Sequence, residues 1–148
     1  PAVLNEIRNY KKCLIRFYAS VNSDPVFVEL RRRVADKRQH AVIECFAVPN
    51  SSLAMDTNVY LRKQVSDVES YWATHKPIIE CPEGLAKALP RRPFPFLHID
   101  LWSDSFAHII EDDRRFPITW PRDTVGRLCG DDKEHHDFAP FDWTRAHD

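Results

Sequence analysis

His98, Asp100 and His108 fall within eleven positions, as H-x-D followed by a second histidine. Two imidazoles and a carboxylate are the ligand types of a facial iron site, which leaves one side of the metal open. A second group, Cys129 with His135, His136 and Asp137 in "CGDDKEHHD", offers thiolate, imidazole and carboxylate donors. Either set would make the chain a small metal-dependent enzyme. Each also has a plainer reading: H-x-D as the polar face of a short strand, and the acidic stretch as a solvated loop whose adjacent histidines point apart. No Ser/His/Asp or Cys/His arrangement stands in a recognisable catalytic context. The main expectation is therefore a chain with no catalytic residues, no cofactor and no metal.

Composition narrows the choice further. Three glycines in 148 residues leave little for a loop that cradles phosphate or for a nucleophile elbow, since both need close backbone approach. The four cysteines, Cys13, Cys45, Cys81 and Cys129, are far apart and form no C-x-x-C pair. Neither a zinc ribbon nor a disulfide framework is indicated, and isolated thiols fit a reducing compartment. No run reaches the ~18 apolar residues of a membrane span, and no signal-peptide pattern opens the chain.

The net charge of −1 conceals an asymmetry. Residues 1–40 hold nine Lys/Arg against four Asp/Glu, and residues 41–148 hold twelve against eighteen. A basic front end suits either an acidic partner or the acidic remainder of the chain. The stretch "ELRRRVADKR" could also touch the phosphates of a nucleic acid. A sequence pI near 6.8 argues against that, and favours a nucleic-acid- or ribosome-associated role only as an alternative.

The elements that must position these residues divide at Pro77. Val3, Ile7, Tyr10, Leu14, Phe17 and Val21 recur at alternating spacings of four and three, which predicts an amphipathic helix over roughly 2–20. "NSDP" then offers Asp24 as N-cap and Pro25 as the first residue of a second helix, with Phe27, Leu30 and Val34 inward. "HAVIECFAV" (40–48) fits a strand or the end of that helix, and the helix is preferred for want of an evident pairing strand. Leu61, Val65, Val68 and Trp72 predict a third helix over 57–75, stopped by Pro77. The fold class expected is mostly α: an antiparallel three-helix bundle over 1–76. Eight of the eleven prolines lie in the last 72 residues, among many aromatics. Residues 77–148 are thus expected as a long, largely irregular extension with short helices near 104–112 and 123–129, ordered against the bundle or a neighbour.

Tyr10-Lys11 follows Asn9 on helix one, and Leu30-Arg31-Arg32-Arg33-Val34 lies on helix two. With "ESYWATHKP" (69–77), this order resembles the LYR-motif family of small mitochondrial three-helix proteins, in which Leu replaces Asn9 and Phe replaces Val34. The same helices are similar to the other three-helix accessory subunit of respiratory complex I, on its peripheral arm. The resemblance implies a non-catalytic accessory subunit on the matrix side of the mitochondrial inner membrane. It further implies partners among the other protein subunits of a large complex, an acyl carrier protein as one possible partner, and no direct nucleic acid. An acidic carrier would meet a basic helical face. The residues expected to bind partners are Tyr10, Lys11, Lys12, Arg16, Arg31, Arg32 and Lys37, with Trp102, Trp120 and Trp143 as anchors in the tail.

Overall fold

The computed structural model describes residues 2–32, 40–50, 56–70, 74 and 76–130. Helix α1 (Ala2–Ser20) is the one that the apolar periodicity predicts. The chain turns at Val21 and Asn22, where Asn22 takes a left-handed φ of 54° that asparagine tolerates better than most residues. It returns antiparallel to α1 as strand β1 (Ser23–Arg31), which pairs with β2 (Ile43–Pro49). Helix α2 (Thr57–Val68) follows, then the two-residue strand β3 (Ile79–Glu80) and the single helical turn α3 (Leu85–Ala88). Strands β4 (Phe96–Asp100) and β5 (Ser105–Ile109) form a hairpin, and helix α4 (Trp120–Leu128) closes the described chain. The five strands make one antiparallel sheet in the order β2-β1-β4-β5-β3.

This sheet replaces the expected three-helix bundle and irregular extension. In "DPVFVEL" the apolar residues satisfy a helical spacing (Phe27, Leu30) and a strand spacing (Val26, Val28, Leu30) equally well. Pairing decides between them: Val26 lies opposite Phe46 on β2, and Val28 opposite Ile99 on β4. Pro25, expected to open a helix, sits instead where only β2 runs alongside β1, since β4 begins its pairing at Phe27. A strand tolerates a residue without an N–H at such a place. "HAVIECFAV" finds its pairing strand in β1, the stretch that was expected to be the second helix. Strands from both sides of Pro77 share the sheet, and the helix expected near 104–112 is strand β5. A helix does cover 123–128, and Gly130 follows it at φ 82°, as a glycine closing a helix commonly does.

Alternation along the strands gives the sheet two unlike faces. Val26, Val28, Val48, Leu97, Ile99 and Phe106 pack against Leu61 and Val65 of α2, and against Phe116, Trp120 and Val125 around α4. Each such fully buried side chain contributes about 1.5–3 kcal/mol relative to exposure. The N-terminus of α2 is fixed by Asp56, whose carboxylate accepts from the Asn58 and Val59 N–H groups. On the opposite face lie Phe27, Glu29, His98, Asp100, Ser105 and Ala107. Helix α1 lies along β1 there, while Cys81, Leu89 and Ala107 form a smaller cluster beside α3. Among the described residues, no helix is long and apolar enough to cross a membrane.

Candidate functional site

The α1 face of the sheet gathers most of the polar side chains that could act. Glu29 on β1 lies opposite His98 on β4. His98 Nε2 is 2.8 Å from Ser105 Oγ across the β4–β5 hairpin. Lys11 reaches down from α1: its Nζ donates to Asp100 Oδ2 at 2.6 Å and stands 4.9 Å from the centre of the Phe27 ring. Burial pushes the Glu29 carboxyl above its ordinary range, opposed by the nearby charges of Arg92, Lys11 and Arg31. Burial also holds His98 down to about 4, against the pull of Asp100 and with the help of Lys11 and Arg92. His98 is therefore neutral at pH 7 and shares one hydrogen bond with the Ser105 hydroxyl. So low a value makes it a weak proton acceptor at that pH, and the pair suits positioning better than proton transfer. The buried Cys81 thiol is raised to about 11 by burial, then by the charges of Glu80 and Asp100, so it is not an activated nucleophile.

Neutral His98 has a measurable consequence. An unfolded chain takes up that proton near pH 6.5, whereas the fold takes it up near pH 4. Between those values the unfolded state binds more protons, so stability falls as the pH falls. H98Q, which can still hydrogen-bond Ser105 as donor or acceptor, is expected to flatten this fall between pH 6.5 and 4.5, read from urea midpoints across the range. An unchanged slope in H98Q would place the acid sensitivity elsewhere.

The β4–β5 turn is clamped from both sides. Asp100 Oδ1 accepts from the Trp102 N–H at 2.8 Å while its Oδ2 holds Lys11 of α1. Asp104 Oδ2 accepts from Asn58 at 2.7 Å and Arg62 at 2.6 Å, both on α2. Arg62 also spans Glu80 through both guanidinium nitrogens and lies 4.5 Å from the centre of the Phe106 ring. Its hydrogen bond lowers both the Glu80 and the Asp104 carboxyl. Within the turn, Leu101 N–H donates to Asp104 O and Ser103 N–H to Leu101 O, both at 2.8 Å. Trp102 sits at the centre of that three-residue turn with φ 68° and its side chain exposed.

The residues singled out in the sequence are dispersed by this geometry. His98 and Asp100 share the α1 face, but His108 pairs with Leu97 on the other face, where it is buried against Glu69 of α2. The H-x-D…H iron set is thereby split by the sheet. Among the described residues no group of three metal-ligating side chains converges. His135, His136 and Asp137 lie outside the described residues, as do Lys37 and Trp143. Trp120 is buried in the core beside Phe116, so it anchors the fold and is not offered to a neighbour. Arg32 is committed to the Asp113 carbonyl, and Lys11 to Asp100. Tyr10, Lys12, Arg16, Arg31 and Trp102 are exposed. Glu29, Ser105, Arg92 and the Arg62 cluster gave no sequence signal; only the β4–β5 register would have put Ser105 beside His98.

These contacts depend on a sheet and not on a bundle, and comparison with known proteins also leads away from the LYR-motif family. Residues 1–61 match a family described as "Protein similar to CwfJ C-terminal". The chain is 30% identical over 124 residues to a CWF19-like protein 2 homolog of Drosophila melanogaster, covering 83% of this chain and 18% of that protein. It is 29% identical over 128 residues to mouse CWF19-like protein 2, covering 85% and 14%. It is 26% identical over 118 residues to the pre-mRNA-splicing factor cwf19 of Schizosaccharomyces pombe, covering 74% and 18%. The chain thus spans less than a fifth of each of these three relatives. The similarity overturns the LYR-motif and complex I resemblance, and with it the respiratory-chain role, the acyl carrier protein and the mitochondrial matrix. The physical basis of that resemblance is also gone. Leu30 and Arg31 lie in a strand of the sheet and not on a second helix.

Proposed function

We propose that this chain is a binding module of a pre-mRNA-splicing factor, acting in the nucleus within a ribonucleoprotein assembly and doing no chemistry of its own. The observation that carries this is the similarity over most of the chain to proteins named CWF19-like protein 2 and pre-mRNA-splicing factor cwf19. Two surface features support binding. Arg8, Lys12 and Arg16 form an exposed basic row on α1, with no carboxylate in ion-pair distance among the described residues. Val3, Tyr10 and Phe17, each at least 60% exposed, recur every seven residues along the same helix, so one stripe faces outward. Ile7, Leu14 and Tyr18 occupy the neighbouring stripe that meets the sheet. Exposed aromatics beside apolar residues are the anchors that protein interfaces use.

The test is to tag the full-length protein that contains this chain at its own locus and sequence the RNA that co-purifies. Spliceosomal small nuclear RNAs and unspliced or excised introns are the expected yield. Deleting the residues of this chain should remove them and raise intron retention. Co-purification with mitochondrial components, or no change in splicing on deletion, would overturn the reading.

A further inference from the structure

We draw no further inference here: the strongest candidate, the outer edge of strand β2 with the exposed Val42 and Ile43 at its start, is open among the described residues, but nothing in the structure shows what covers it.

Discussion

E69L is expected to lose about 3–5 kcal/mol of stability, the loss that follows when one partner of a buried, hydrogen-bonded ionisable pair is removed. Glu69 ends α2 and is 1% exposed; its Oε2 is 2.7 Å from His108 Nε2. The other ring nitrogen, Nδ1, is 2.7 Å from the carbonyl of Pro77. A carbonyl can only accept, so Nδ1 carries a proton, and the Glu69–His108 contact needs one more, on the ring or on the carboxyl. The same carboxyl accepts from the Glu111 and Asp112 N–H groups, at 3.3 Å each. A leucine there would leave His108 Nε2 without its partner and take an acceptor from two backbone N–H groups. The double variant E69L/H108L should recover a large part of the loss, because apolar groups can replace both partners where they cannot replace one. Urea unfolding of the two variants measures this directly. A loss below about 1 kcal/mol in E69L would show that the pair is dispensable to the fold.

V65D is expected to abolish cooperative folding, whereas L14D should cost only about 1–2 kcal/mol. Val65 is 1% exposed between α2 and the sheet, and an unpaired carboxylate there costs several kcal/mol, a large share of the 5–15 kcal/mol typical of a domain. Leu14 is only half-buried where α1 lies on β1, so an aspartate can turn toward water after losing part of a leucine's transfer energy. A three-helix bundle would make the two substitutions equally damaging. Thermal melts followed by circular dichroism separate the cases, and equal loss in both would contradict the sheet architecture.

That contrast also marks what the amino-acid pattern could reveal. Helix α1 was legible because a stripe of five helical turns has only one periodic explanation, and Leu61 and Val65 were legible as inward residues of α2. Strands β1 and β2 were not, because runs of seven to nine residues fit either period and only the partner strand breaks the tie. Each is the other's partner, so neither reads as a strand alone. The candidate site was legible in fragments: Lys11, His98 and Asp100 stood out by type, but only the sheet brings them to one face. Trp120 stood out for the same reason, yet it fills the core, since type alone does not distinguish an anchor turned outward from one turned inward. The Asp100 and Asp104 clamps join residues from opposite ends of the chain, and no local spacing encodes such a meeting.

The strand order carries a consequence for how the protein is made. β1 and β2 are synthesised early and can zip as a hairpin, but β1's other neighbour is β4, and Phe27 must wait for Asp100. Contacts so distant along the chain slow folding, because a long loop must close before any of them forms. Until β4 and α4 leave the ribosome, Val26, Val28, Leu61 and Val65 have most of their packing partners missing. The nascent chain therefore exposes an apolar half-sheet for much of its translation, a state prone to mispairing with other chains. A premature stop anywhere before α4 would leave that half-sheet permanently uncovered, so truncated products of this segment should be found with chaperones or in aggregates, and not as smaller folded proteins.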